Sequence, residues 1–285
     1  ENGGWAIFLG TPKGKNHFYK IYSHAKKNPS WHHELLTIRD TKRDDGTPVI
    51  NEDFIEELRT RGVPEETIQA EYFCSFEQSV LGAYYAVQIE KARKDGRVCK
   101  VPYDPHVPVH TAWDIGFADT TIIIFYQLVG QAIHIIDCYE ASGEPLGHYA
   151  KVLKEKDYDY AIHNVPHDMG VHDLALGKRR IDVMREMGVK MRLVEKHAVE
   201  DGIEQVRATL SRCWFDEQKC GKLLDALNEY TKEWNDTLKV FKSQPRHDWT
   251  SHFADAFRYL AMSQKKNRHD DGQRQKKASD EYEYV

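Results

Sequence analysis

Residues 107–127, VPVHTAWDIGFADTTIIIFYQ, constrain the fold more than any other stretch of the chain. Apolar, strand-forming residues run up to Asp114, a short turn through Gly116, Phe117, Ala118 and Asp119 follows, and residues 120–127 return as a second strand-like run. The reading is a hairpin with a carboxylate inside it. Period-two alternation sets Trp113 and Ile115 on one face of the first strand and Ala112, Asp114 and Gly116 on the other. An ionised carboxylate among such neighbours is costly to bury unless a cation or hydrogen-bond donors meet it. Asp114 by itself fits a metal ligand and a turn cap equally well, and only convergence with other carboxylates separates the two.

With 285 residues, 40% apolar and 30% charged, the chain has material for a large core and is expected to form two units. No run of about 18 apolar residues exists that could span a bilayer, so a membrane protein is not expected. The opening ENGGWAIFLGTP has no initiator Met, basic n-region or cleavage site, and reads as the start of a fragment. Cys74, Cys99, Cys138, Cys213 and Cys220 are odd in number and contain no C-x-x-C pair, which suits free thiols in a reducing cytosol and argues against structural zinc. His163, His167 and His172 are interrupted by Pro166 and Gly170 and lack helical ligand spacing. The formal net charge of -5 does not advertise nucleic-acid binding, although a local group such as Lys178, Arg179 and Arg180 can still contact phosphates.

In chain order, residues 5–9 (WAIFL) read as a short buried strand ending in GTPKGKN. That ending is nearly a phosphate loop, but three residues rather than four separate Gly10 from Gly14, and Asn16 rather than Ser or Thr follows Lys15. Residues 17–22 have helical spacing, and residues 31–37 suit another strand. Asn51 caps a helix over 51–61 with Glu52 and Asp53 in its first turn, and Pro64 starts a second helix over 65–72. A boundary is expected between residues 75 and 100, with a helix over 88–94.

Residues 132–140 (AIHIIDCYE) form a third run of the same meander, a helix covers 146–156, and a strand over 160–165 breaks at Pro166-His167-Asp168-Met169-Gly170. Asp168 fits a functional loop residue and a turn-former alike. Helices over 180–187 and 201–212 flank a strand over 190–194, so the chain reads as α/β. Residues 214–216 and 237–241 suit edge strands around a helix over 222–234. A last helix over 250–263 carries an apolar stripe of Trp249, Phe253, Ala256, Phe257 and Leu260. On its other side Asp248, His252, Asp255 and Tyr259 fall at i, i+4, i+7 and i+11, and a functional face is favoured over a simple Asp255–Arg258 surface pair. From residue 265 the composition is that of a disordered tail.

Asp114, Asp168 and Asp255 thus form a carboxylate set spread along the chain, and oxygen-only ligands select hard cations such as Mg2+ or Mn2+. Two such ions about 3.5–4 Å apart suit phosphodiester hydrolysis. Three segments also carry a resemblance: Thr111-Ala112-Trp113-Asp114-Ile115-Gly116 with Asp119-Thr120-Thr121; Pro166-His167-Asp168; and His247-Asp248-Trp249-Thr250-Ser251-His252-Phe253-Ala254-Asp255-Ala256-Phe257-Arg258. Across residues 103–262 the chain resembles the C-terminal half of the large terminase subunit of tailed phages, the DNA-packaging motor.

The resemblance implies a ribonuclease H-like mixed α/β sheet flanked by helices (101–264), with Asp114, Asp168 and Asp255 as catalytic metal ligands and Asp119 and Asp248 as further candidates. Gly10-Thr11-Pro12 followed by Asn16-His17-Phe18-Tyr19 resembles the terminase coupling motif. This implies that residues 1–75 are the C-terminal remnant of a P-loop ATPase domain, joined by a linker at 76–100. Lacking a Walker A loop and a Walker B strand, the fragment is not expected to hydrolyse ATP, which would serve only the full-length protein.

The implied activity is metal-dependent endonucleolytic cutting of concatemeric double-stranded DNA at initiation and termination of packaging, with Lys178, Arg179 and Arg180 as candidate backbone contacts or merely a solvated helix start. Implied partners are DNA, the portal protein and the small terminase subunit, with an oligomer on the portal, a monomer in isolation, and a location in the host cytoplasm and transiently on the procapsid. The alternatives are another ribonuclease H-like nuclease such as a junction resolvase, or a non-catalytic DNA-gripping or portal-docking module.

Overall fold

The computed structural model describes residues 4–12, 14, 17–76, 82–116, 119–173, 177–235 and 240–264. The turn residues Phe117 and Ala118, Asn16 of the motif-like segment, and the tail from 265 lie outside them.

Three helices occupy the first part: α1 (His17–Lys27), α2 (Glu52–Thr60) and α3 (Glu65–Phe73). Asn51 caps α2 as its sequence requires, the Phe54 amide donating to Asn51 Oδ1 at 3.0 Å, and Glu52 and Asp53 place negative charge at the positive end of the helix dipole. Ile38, Ile55 and Ile68 make a small core of their own. Residues 5–9 are not a buried strand. They form no strand, and Trp5, Ile7, Phe8 and Leu9 are 84%, 66%, 50% and 90% exposed, because no described strand lies alongside to pair with their backbone. Residues 32–37 are likewise irregular, and Leu35 and Leu36 are exposed.

The remainder is organised by a seven-stranded sheet. Its elements in chain order are α4 (Ala86–Lys94), β1 (Val98–Cys99), β2 (Val109–Asp114), β3 (Thr120–Val129), β4 (Ala132–Ser142), α5 (Leu146–Lys156), β5 (Tyr160–Val165), a 3-10 turn (His167–Gly170), β6 (His172–Asp173), β7 (Lys178–Arg179), α6 (Arg180–Glu186), β8 (Met191–Leu193), α7 (Val199–Leu210), β9 (Cys213–Asp216), α8 (Gly221–Glu229), β10 (Lys232–Asn235), β11 (Val240–Pro245) and α9 (249–264).

The order is β1-β9-β4-β3-β2-β5-β8. β2, β3 and β4 form the expected antiparallel meander, and β5 and β8 add in parallel beside β2, giving the ribonuclease H-like mixed sheet. β6 with β7 and β10 with β11 are separate two-stranded ribbons.

Helices cover both faces. One carries Trp113, Ile123, Phe125, Ile136 and Val165 against Tyr149 and Leu153 of α5 and Ile181 and Met184 of α6. The other carries Ala112, Ile122, Ile124, Tyr126, Ile135 and Phe215 against α4, α7, α8 and α9. The alternation in β2 is as its sequence dictates, with Trp113 and Ile115 facing α5 and α6 and Ala112 facing α9. Phe253, Ala256, Phe257, Leu260 and Ala261 are buried on one side of α9 at helical spacing, each Phe contributing about 1.5–3 kcal/mol. Trp249 departs from that stripe and is 42% exposed.

Three expectations are corrected. The span 76–100 is not simply a linker, because Tyr84, Tyr85 and Ile89 are buried in the core under α8 and α9 and β1 joins the sheet. β9 is not an edge strand but lies between β1 and β4; the Asp216 carboxylate at its end accepts from the amides of Val101, Gln218 and Lys219, which makes a polar residue acceptable there. The helix expected over 222–234 ends at Glu229, where Tyr230 turns extended and is buried and Thr231 bridges to Ala83, after which β10 pairs with β11.

Candidate active site

Alternation and register place Asp114 at the C-terminal end of β2, on the face covered by α9. Beyond it the chain turns sharply at Gly116, where a Cβ would lie 2.8 Å from the Asp119 carbonyl carbon and the Thr120 oxygen, so only glycine fits the bend. The bend returns Asp119 beside Asp114. On α9, His252 and Asp255 lie one turn apart on the side facing β2, and His252 joins the two segments. Its Nδ1 is 3.1 Å from Asp114 Oδ2 and its Nε2 is 3.1 Å from Asp119 Oδ2. Nδ1 makes a hydrogen bond with Asp114 while Nε2 faces Asp119 at ion-pair distance, an arrangement that suits the imidazolium. The hydrogen bond to Asp114 accordingly raises the His252 pKa, against the opposing effect of burial.

Asp255 is paired with Arg258, Nη1 to Oδ1 at 2.7 Å. The i, i+3 pair weighed in the sequence is therefore present, but it is not a surface pair, since the Arg258 side chain is only 10% exposed. Burial on its packed side pushes the Asp255 pKa up to about 6; Arg258 opposes the shift and the neighbouring Asp114 charge adds to it. Asp114 is raised in the same way, by burial first, with His252 opposing and Asp168 adding a smaller repulsion. Burial and the charges of Asp114 and Asp255 likewise push the Tyr259 phenol, on the same helix, up to about 12.

Asp168 sits exposed in the 3-10 turn directly after β5, the parallel neighbour of β2. Asp114 at the end of a central strand and Asp255 on the last helix flank His252, and Asp168 stands in the turn after the strand beside Asp114's own. They do not form a ready-made ligand shell. No group of three or more His, Cys, Asp or Glu side chains among the described residues is arranged to hold a metal ion.

The donor set nevertheless fits a hard divalent cation. It is rich in carboxylate oxygens: Asp114, Asp119 and Asp255 stand around His252 and Arg258, with Asp114 and Asp255 half-buried.

Asp248 is not brought into this group. Its Oδ1 accepts from the Thr250 amide at 2.9 Å and the Thr250 hydroxyl at 2.6 Å, capping α9, and its Oδ2 pairs with Arg246. Lys178 and Arg179 lie in the β6–β7 ribbon, which follows the Asp168 turn, but both are engaged locally: Lys178 with Glu186 at 2.6 Å and Arg179 with Asp182 at 2.6 Å. Arg180 begins α6. Gly10, Thr11 and Pro12 lie far along the chain, where the Thr11 hydroxyl donates to Glu71 at 3.1 Å.

Two participants are given no site role of their own in the sequence reading. His252 stands there as a member of the functional face and Arg258 as a possible partner of Asp255, and both fall in the third segment that carries the resemblance.

No protein-family model matches the chain. In sequence it is 26% identical over 263 residues to the large terminase subunit of Escherichia phage T5, covering 89% of this chain and 57% of that protein. In structure it overlays on the large terminase of a thermophilic bacteriophage with a TM-score of 0.51 at 16% identity, covering 89% of this chain and 61% of that one. A second crystal form of the same thermophilic protein gives the same TM-score at 17% identity. The chain spans somewhat more than half the length of the proteins it matches. In sequence and in fold, then, the chain is similar to the large subunits of phage terminases.

Proposed function

We propose that the chain carries the nuclease of a viral DNA-packaging motor, a metal-dependent endonuclease that cuts concatemeric double-stranded DNA when packaging starts and stops. The observation that supports this reading is that His252 of α9 reaches Asp114 and Asp119 at the end of β2, with Asp255 one turn further along the same helix. Asp114, Asp168 and Asp255 would hold Mg2+ or Mn2+, with Asp119 as an additional oxygen donor. Ions so held would supply an activated water and charge stabilisation for a phosphodiester displacement.

The chain's own residues do the rest. Asp114 and Asp255 provide negative charge on a desolvated face, where it attracts a cation more strongly than in water. His252 and Arg258 hold those carboxylates in place. Little base preference is expected, since contacts to phosphates carry no sequence information.

Residues 1–75 are proposed as the end of an ATPase domain, with Gly10, Thr11 and Pro12 in its coupling segment; the exposed Trp5, Ile7, Phe8 and Leu9 suit a segment that packs against further sheet. ATP, the portal protein and the small terminase subunit are proposed partners of the whole protein.

The test is to incubate supercoiled plasmid with the chain and Mg2+ or Mn2+, alongside D114A and D255A. Cutting by the parent chain that both substitutions abolish supports the reading. Cutting that survives them removes it, and preferential cutting of four-way junctions would point to a resolvase instead.

A further inference from the structure

Arg258 is set in α9 with an environment that an ordinary i, i+3 ion pair does not need. Its side chain is 10% exposed, its Nη1 is 2.7 Å from Asp255 Oδ1, and its guanidinium carbon is 5.7 Å from the centre of the Tyr259 ring. Its Nε has no hydrogen-bond partner, so the group is buried at a real cost that Asp255 and the Tyr259 side chain must offset. The aliphatic stem fills a notch in α7. A Cβ on Gly202 would lie 2.2 Å from Arg258 Cδ and 2.6 Å from Cγ, so any side chain there would force the arginine to move. A glycine inside a helix costs roughly 0.5–1 kcal/mol, and here it makes room for one residue. One turn before Asp255 on the same helix, His252 reaches Asp114 of β2.

We infer that Arg258, seated in the Gly202 notch, is a positioning residue: its ion pair with Oδ1 restrains the Asp255 carboxylate, which would serve as a ligand to the divalent cation proposed above. The inference rests on the metal-dependent nuclease reading and goes beyond it by assigning a role to two residues that touch neither DNA nor metal. A guanidinium suits the task because its planar, rigid fork keeps the charge in a fixed orientation beside the carboxylate, whereas an ammonium would hold the same charge with looser geometry. The role resembles the outer partners that orient metal ligands, whose loss typically lowers metal affinity about 10- to 100-fold.

Mn2+ binding by titration calorimetry on the whole chain, with plasmid cutting in parallel, tests this on R258M, R258K and G202A. The expected result is Mn2+ affinity reduced about 10-fold or more in R258M, partly recovered in R258K, and reduced in the same direction in G202A, which removes no charge. Thermal melts without metal identify any loss of fold. A residue that merely supports the fold would lower the melting temperature and leave the affinity of the folded protein unchanged. If R258M does not fold, R258K and G202A carry the comparison. A parent chain that binds Mn2+ and cuts, with variants binding within about twofold of it, overturns the role of Arg258 and leaves the nuclease reading standing. A parent chain that neither binds Mn2+ nor cuts overturns both.

Discussion

The two faces of the central sheet are packed to a similar degree and end differently. Beneath α5 and α6, Trp113, Ile123, Phe125 and Met184 are fully buried, and the buried Asp137 is neutralised by Lys156 of α5. Beneath α9, Ala112, Ile122, Ile124 and Phe257 are buried just as completely, but one residue beyond Trp113 the strand presents Asp114, and the helix opposite presents His252 and Asp255. With Asp137 neutralised inside the first face, the sheet is anchored there while the other face holds charge at its rim. The contrast divides stability from chemistry: the first face should matter for folding alone, the second for function more than for folding.

The largest expected effect belongs to the apolar face. Trp113→Ala removes a fully buried ring that meets Tyr149 edge-on at 6.0 Å between centroids, and should cost about 3–5 kcal/mol in chemical denaturation. The folded fraction should keep its Mn2+ affinity. A Trp113 variant that folds normally but fails to bind metal would erase the proposed division.

Asp114→Asn, one residue away on the other face, should do the reverse. The amide oxygen can still accept from His252 Nδ1, and a group whose charged form is disfavoured by burial becomes neutral, so the melting temperature should hold or rise at pH 7. Plasmid cutting should fall at least ~100-fold. Unaltered cutting would detach the acidic rim from the chemistry.

A third effect is read through pH. Asp255 has its pKa raised from 3.8 to about 6, so between those values the folded protein keeps a proton that the unfolded chain has released. Stability from this group is therefore fully present below about pH 4 and declines as pH rises to about 6, by on the order of 3 kcal/mol at most. Asp114, also raised, acts in the same direction. His252, raised by its carboxylate partner, contributes stability below its unfolded value that is lost as pH passes its folded one. Carboxylates with lowered pKa values, such as Glu65 and Asp216, slope the other way. The informative quantity is thus the difference between the parent chain and Asp255→Asn from pH 4 to 7, which should narrow the decline. Parallel profiles would mean that Asp255 is not desolvated by the α9 packing.

These contrasts also show what the sequence could and could not disclose. The alternation in β2 assigned Asp114 and Trp113 to opposite faces because a strand's period is fixed by its backbone, and α5 and β5 fell where their patterns and Pro/Gly breaks put them. What local periodicity lacks is the identity of the opposing surface. It grouped His252 with Asp255 on α9 but had no means of placing that group against Asp114, 138 residues away. The same gap explains residues 5–9: an apolar run states a demand for burial, and whether a neighbouring strand meets it is a tertiary matter. It also explains β9, whose mixed CWFD pattern suits an edge until Asp216 is seen to be satisfied by three amides.

The smallest effect decides where the acidic rim stops. In the sequence, Asp248 and Asp255 fall on one helix face at i and i+7, and both are candidate metal ligands. In the folded chain the first α9 turn takes Asp248 for itself, with Oδ1 on the Thr250 amide and hydroxyl and Oδ2 on Arg246. An N-cap of this kind is worth about 1 kcal/mol, with a range of roughly 0.5–2, and the surface pair to Arg246 adds little. Asp248→Ala should therefore lower stability by about that amount and leave cutting and Mn2+ affinity within a few-fold of the parent chain. Asp248→Asn, which can still accept from the Thr250 amide, should recover most of the loss. If instead Asp248→Ala abolished cutting at undiminished stability, the boundary between cap and site would have to move one helical turn toward the N-terminus of α9, and Asp248 would rejoin Asp114 and Asp255 as a ligand.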